Sequence, residues 1–431
     1  MAASRTIVFF PEGAFGPTNN CVGIGDVLHR RGHRVVFVVE ESFAGNLERF
    51  GFEERLMRLG PPPVEPEIPG QFWKDFIRDT APEFRRPTIE QLASFLLPTW
   101  TALVDGARHV EPRLREIFAE VRPDVIVEDN VVAFPAVMTA GAPWVRIMSC
   151  NPAEMLDPAV PPVFSGYPSD DREDWEAFRE AYQRTHGALW DDFDAFCREQ
   201  GAPGLPSDEL GPRFIHESPH LNLSLYPVEA DYPRDRPLGP TWHRLESCVR
   251  ATDGEWRQPD GLARLEGPLV YLSLGSLGSA DVGLMQRLID MLGQSRFRVV
   301  VSMGPQHDRL RLAPNMTGAE FLPQPAILPQ VDALITHGGN NTTTEAFHHG
   351  KPMVVLPLFW DQYDNAQRVD ELGFGIRLDT YRIEPSELIG AIDRLIVDRA
   401  LAERLGAISR RLQAHPGTVR AADLIEQVAG G

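Results

Sequence analysis

The densest chemistry in the sequence lies between residues 320 and 365. His337-Gly338-Gly339-Asn340-Asn341 follows a short apolar run, 333–336, and opens a helical stretch, 342–349, that Gly350 and Pro352 bring to an end. Two glycines let backbone approach a ligand closely. Asn341, Thr342 and Thr343 offer caps and free amides at a helix N-terminus, whose partial positive charge favours phosphate. His337 adds a hydrogen-bond donor or a cation at the same place. Glu345, one turn into the helix, is spaced to accept hydrogen bonds from ribose hydroxyls. A second apolar run, 353–356, leads to Trp360-Asp361-Gln362, a carboxylate and an amide that suit the hydroxyls of a sugar ring. A strand–Gly-Gly–helix turn alone is often only a tight connection. The ordered combination, with Pro323-Gln324 upstream and Asn365-Ala366 downstream, points to a site for a phosphate-linked nucleoside and sugar.

Two other clusters read as structural. Asp192-Phe193-Asp194 has the spacing of a metal-binding Asp-x-Asp, but it sits inside a helical pattern of Trp175, Phe178, Tyr182, Leu189, Phe193 and Phe196. It reads as a solvated helix face. His348-His349 reads as positive charge complementing a helix C-terminus. The helix dipole and His337 would meet the phosphate charge, so neither a metal nor a cofactor is expected beyond the nucleotide-sugar co-substrate.

The elements that must hold this site are short continuous apolar runs, the mark of parallel strands covered on both faces: 7–10, 35–39, 125–127, 145–148, 221–225, 269–274, 299–302, 333–336 and 353–356. Helical patterns separate most of them, which predicts α/β architecture with doubly wound sheets. A stretch rich in Pro, Gly and charge, 231–261, divides the runs into two sets. The predicted organisation is therefore a first domain over 1–230, a linker over 231–261 and a second domain over 262–399. A helical segment, 400–431, follows and is expected to cross back onto the first domain. Ligands of such sheets sit beyond the carboxyl ends of the strands, so the site is expected in the cleft between the domains.

Length and charge agree with that plan. The 431 residues exceed one core and suit two domains of roughly 200 residues each. Forty-two basic against sixty-one acidic residues leave a net charge of −19, which argues against nucleic acid or anionic lipid as a partner. The four cysteines, Cys21, Cys150, Cys197 and Cys248, lie far apart without a Cys-x-x-Cys pair, as in a reduced protein. No stretch reaches transmembrane length, and the apolar run before Pro11 is too short for a signal peptide. A cytoplasmic location without membrane insertion is expected; the oligomeric state is left open.

The passage resembles the donor-binding signature of family-one glycosyltransferases, the UDP-glycosyltransferases of plants and of bacterial natural-product pathways, and looks closest to the macrolide-modifying branch. The signature's aromatic-x-Pro-Gln appears as Phe321-Leu322-Pro323-Gln324. Its His-x-Gly-x-Asn-Ser/Thr-x-x-Glu appears as His337 to Glu345, and its Pro-x-x-x-Asp-Gln-x-x-Asn-Ala as Pro357 to Ala366. Gly32-His33-Arg34-Val35 and Ser273-Leu274-Gly275-Ser276 extend the likeness. The resemblance implies the GT-B architecture, two Rossmann-like domains facing a cleft. It implies that Phe321 stacks on the base, Leu322 offers it backbone and Gln324 lies beside the nucleoside. Glu345 would bind ribose, while His337, Gly339, Asn341, Thr342 and Ser276 hold the pyrophosphate. Trp360, Asp361 and Gln362 would grip the sugar, and the Asp361-Gln362 pair favours UDP-glucose over a dTDP-sugar.

The first domain departs from the family. Relatives carry a His after the first strand that deprotonates the acceptor hydroxyl and an Asp that orients it, a device worth roughly 10²–10⁴-fold. The alignment places Phe15 at the His position and Gly16 after it, and the loop contains no histidine; the Asp corresponds to Asp129. Asp129 as base, Glu12 or His109 as substitute, weakly assisted chemistry and loss of activity all stay open. Aromatic residues including Phe72, Trp73, Phe76, Phe84, Phe95 and Trp100 suit a hydrophobic acceptor such as a macrolide or other polyketide. The expected reaction is inverting hexosyl transfer. A sugar-nucleotide epimerase and a base-less sugar-nucleotide-binding accessory protein are the rivals.

Overall fold

The computed structural model describes residues 4–13, 15–62, 75, 78–251 and 254–430. Phe72 and Trp73, expected at the acceptor, and Phe76 lie outside the described residues. The first strands are β1 (Thr6–Pro11), β2 (Arg34–Glu40), β3 (Glu53–Met57), β4 (Val125–Asp129) and β5 (Trp144–Met148). An antiparallel ribbon, β6 (Ser207–Asp208) and β7 (Gly211–Pro212), precedes β8 (Leu221–Ser224) and β9 (Trp242–Arg244). They form a parallel seven-stranded sheet in the order β3-β2-β1-β4-β5-β8-β9, the ribbon apart. Its helices include α1 (Phe15–Arg30), α2 (Leu97–Val121) and α3 (Trp175–Glu199).

The second sheet holds β10 (Leu269–Ser273), β11 (Arg298–Ser302), β12 (Met316–Ala319), β13 (Ala333–Thr336), β14 (Met353–Val355) and β15 (Gly375–Arg377). It is parallel in the order β12-β11-β10-β13-β14-β15. Around it lie α4 (Val282–Gly293), α5 (Asn340–His348), α6 (Gln362–Glu371), α7 (Pro385–Val397) and α8 (Arg399–Ala414), and the chain finishes in α9 (Gly417–Gly430). Two Rossmann-like sheets flanked by helices confirm the α/β, doubly wound GT-B expectation.

Side chains alternate across each strand. In the first sheet Ile7 and Phe9 face Cys21, Ile24 and Leu28 of α1 and Ala421 and Ile425 of α9. Val8 and Phe10 face the opposite way, toward Trp100 and Val104 of α2 and Phe134. The last helix thus packs on the first domain, where Arg31 pairs with Asp423 and Glu426 at 2.7 Å each.

One sequence reading needs correction. β9 lies within 231–261, the stretch assigned to the linker, and extends the first sheet beside β8. Its three residues are all only half-buried, so they carry no apolar run to announce a strand.

Each sheet has a point where strand order reverses, at β1/β4 and at β10/β13. Loops diverge there beyond the strands' carboxyl ends and leave room for a ligand. Pro11 is opposite Asp129 at the first point, and Ser273 is opposite Thr336 at the second.

Candidate active site

The turn after β13 is built around the His337 ring. A Cβ on Gly275 would stand 2.7 Å from that ring and one on Gly339 2.6 Å, so the imidazole is clamped between two glycines, one from each side of the β10/β13 reversal. Gly275 has φ +71°, which independently favours glycine. Burial pushes the His337 pKa down to about 4, against a bond to the Ser273 carbonyl. The ring is therefore neutral near pH 7 and serves as a polar partner, not a cation.

Helix α5 starts earlier than the sequence suggested, at Asn340, with Gly339 as N-cap. Gly339 has no side chain to bond the first amides. The expected caps turn elsewhere: the Thr343 hydroxyl donates to the Gly339 carbonyl (3.1 Å), and the Asn341 amide donates to Glu345 (3.1 Å). Ser276, half-buried in the short helix Gly275–Gly278, rises from the facing loop. Together these groups surround a helix N-terminus with the dipole behind it, an arrangement suited to an anion.

Glu345 is 2 % exposed and receives Gln324 (2.6 Å), Asn341 (3.1 Å) and Arg250 (3.3 Å). Gln324 also donates to the Thr342 hydroxyl (3.2 Å). Gln324 therefore braces the N-terminal half of α5. Phe321 is 60 % exposed beside half-buried Leu322 and presents a face for stacking.

Asp361 and Gln362 are both buried, and each already holds backbone. Asp361 accepts the Asn151 N–H (2.8 Å), and Gln362 accepts the N–H groups of Leu358 and Phe359 (3.1 and 3.3 Å). Asn151 also donates its side-chain amide to Asn365 (2.9 Å), so a first-domain loop after β5 reaches Asp361 and the start of α6. The sequence reading missed Asn151; its one signal is its place after a strand that ends at the cleft. Trp360 sits in the left-handed region, φ 59°, an unusual conformation for a bulky residue, and packs on Trp100 (5.0 Å) and Phe164 (4.6 Å). Phe84 and Phe95 meet Phe359 at 5.1 and 5.6 Å. These aromatic residues join the two domains.

Asp129 is 3 % exposed. It takes the Ser149 hydroxyl at 2.5 Å, and Ser149 in turn receives Asn20 at 3.1 Å. Burial and the charges of Glu12 and Glu154 push its pKa up to about 8. Gly16 of α1 abuts α5: a Cβ there would lie 3.7 Å from that of Asn341. Phe15 is the first residue of α1. On the aromatic face of the first sheet, Arg146 and Glu154 line a cavity of about 260 Å³ with His216 and Trp242.

His348 and His349 do not act as charges. Burial lowers both pKa values, that of His349 to about 4, and outweighs the helix terminus; His348 bonds the Ser247 hydroxyl at 3.0 Å instead. Asp194 of the Asp-x-Asp caps the Leu205 amide (2.6 Å) and pairs with Arg198, a structural role.

Comparison with known proteins agrees with the geometry. Residues 286–427 match the family described as erythromycin biosynthesis protein CIII-like, C-terminal domain. The chain is 26% identical to a demethyllactenocin mycarosyltransferase of Streptomyces fradiae, over 97% of this chain and 86% of that one. It is 27% identical to an oleandomycin glycosyltransferase of Streptomyces antibioticus, over 97% and 90%. The crystal structure of the glycosyltransferase of kitacinnamycin superposes with a TM-score of 0.70 at 26% identity, covering 99% of this chain and 100% of that one. With a glycine-clamped turn after β13 and two Rossmann-like sheets, the chain is similar over nearly its whole length to glycosyltransferases of natural-product type.

Proposed function

We propose that the protein transfers a hexose, with UDP-glucose the first-choice donor, to a hydroxyl of a hydrophobic natural product such as a macrolide or another polyketide. The observation that carries the donor half is the His337 clamp opening into the side-chain-free N-cap of α5. A diphosphate there meets amides and a helix dipole, so transfer needs no divalent cation. Phe321 stacks on the base, and Glu345, held by Arg250, Asn341 and Gln324, turns toward the ribose. Asp361 and Gln362 sit where the sugar would lie, one helical turn from the phosphate turn's partner Asn365. The names of the two Streptomyces relatives support a macrolide-type acceptor. Such a ligand would lie on the aromatic face beside Trp100 and Phe164, with its polar groups toward the Arg146 cavity. Attack on an α-linked donor gives a β-glycoside.

The test incubates the protein with UDP-glucose or TDP-glucose and a panel of macrolides and aromatic polyketides, with and without chelator, and follows product mass. A gain of one hexose from UDP-glucose, unchanged by chelator, is expected. Turnover with TDP-glucose alone would replace the donor assignment, and transfer only to small polar acceptors would replace the acceptor class.

A further inference from the structure

The family's usual base position is not a histidine here, and strand alternation decides what stands in its place. Asp129 shares a face of β4 with Val125 and Val127, the face covered by α1 and α9. Its charge is felt there by the thiols of Cys21 and Cys248, and its carboxylate is engaged by Ser149. It therefore lies behind α1, away from the aromatic face. Glu12 continues β1 by one step, its N–H donating to the Asp129 carbonyl at 2.8 Å. Period-two alternation turns its side chain to the face of Val8 and Phe10, where Phe10 meets Phe134 at 4.7 Å. It is half-buried, at the β1/β4 reversal, in the loop whose continuation through Gly16 abuts the first turn of α5.

We propose that Glu12 is the general base that deprotonates the acceptor hydroxyl, which rests on the transferase reading above. The Glu12 carboxylate takes the hydroxyl proton as the oxygen bonds the anomeric carbon. The bond from that carbon to the diphosphate breaks, and its electron pair leaves with the nucleoside diphosphate. Glu12 then passes the proton to solvent. Asp129, through Ser149 and Asn20, holds the start of α1 in place and is a positioning residue.

The electrostatics agree. Glu12 lies within reach of the charge of Asp129 at the end of β4, of Cys150 and the Arg146-paired Glu154 in the loop after β5, and of Asp361 in the loop before α6. Burial first, then Asp361 and Glu154, push its pKa up to about 7, the range that suits a base near neutral pH.

The test measures kcat and KM from acid to alkaline pH for the unsubstituted enzyme, Glu12→Gln, Glu12→Asp and Asp129→Asn, with UDP and TDP binding by calorimetry as the control for an intact donor site. Glu12→Gln is expected to lower kcat by roughly 10²–10⁴-fold with little change in KM, and to abolish the acidic limb of the kcat profile. Glu12→Asp keeps the limb at a reduced rate, and Asp129→Asn keeps the limb. Loss of kcat below about tenfold in Glu12→Gln, or an acidic limb that survives in it, overturns the assignment. So does disappearance of the limb in Asp129→Asn with nucleotide binding intact. No transfer by the unsubstituted enzyme from any donor would instead overturn the transferase reading on which the assignment rests.

Discussion

Gly339 has φ −59° and ψ 139°, angles open to any residue, so what requires glycine there is the imidazole 2.6 Å from where a Cβ would stand. Gly339→Ala is backbone-tolerant and forces the His337 ring aside. It is expected to cost about 1–3 kcal/mol of stability by overpacking and to weaken nucleoside-diphosphate binding by about tenfold. Adding His337→Ala should restore most of the stability and none of the affinity. Denaturant titration and calorimetry of the two single variants and the double variant check this cycle, and equal stability losses in Gly339→Ala with and without His337 would disprove the clamp.

Helix α6 carries one polar face whose residues recur at helical spacing, and nearly all of that face serves the junction between domains. Asp361 and Asn365 hold Asn151, and Asp364 accepts the Phe164 and Gly166 N–H groups at 2.6 and 2.8 Å. Arg368 donates to the carbonyls of Ala230 and Asp231 and stacks over Tyr232, while Glu371 receives Ser169. Asp364→Ala strands two buried amides and is expected to cost about 2–4 kcal/mol. Combined with Arg368→Ala, it should split a single heat-unfolding transition into two as the domains uncouple. Scanning calorimetry checks this; a single transition in the double variant would show that the aromatic contacts of Trp360 and Phe359 suffice alone.

At the scale of the whole molecule, the cleft and the first sheet bury carboxyls that hold protons longer than ordinary ones. Burial raises Glu128, Asp129 and Asp364 to about 8 and Asp361 and Glu12 to about 7. Folded values above unfolded ones mean that the folded state binds more protons between roughly pH 4 and 8, so stability falls as pH rises through that window. His337 and His349, lowered to about 4, act the other way only below their ordinary 6.5. From about pH 6.5 to 8.5 the carboxyls act unopposed by these histidines. Unfolding free energy should therefore fall across that interval by up to about 1.4 kcal/mol per pH unit for each proton retained, and Tm should fall with it. Glu128→Gln should flatten the decline, and a Tm that rises with pH would refute the account.

What the sequence determined was whatever depends on local pattern. Interior strands are buried on both faces, so β1, β2, β4, β5, β8, β10, β11, β13 and β14 all appear as apolar runs, and with them the two-sheet plan and the glycine turn after β13. Within the two parallel sheets, the four strands without such runs, β3, β9, β12 and β15, are the four edges; they are only partly buried, so no continuous apolar run was required. Which way a carboxylate faces was likewise not written locally. Asp129 and Glu12 sit across one ladder step from each other, yet β4 turns one behind α1 and β1 turns the other onto the aromatic face. Asp361 and Gln362 read as sugar ligands, and only the packing of the two domains brings the Asn151 amide to Asp361, while the 358–359 amides hold Gln362 within its own loop. Residue type and spacing announce a capacity for chemistry, whereas its direction and its partners come from strand parity, helix cover and domain contact, which only the folded chain supplies.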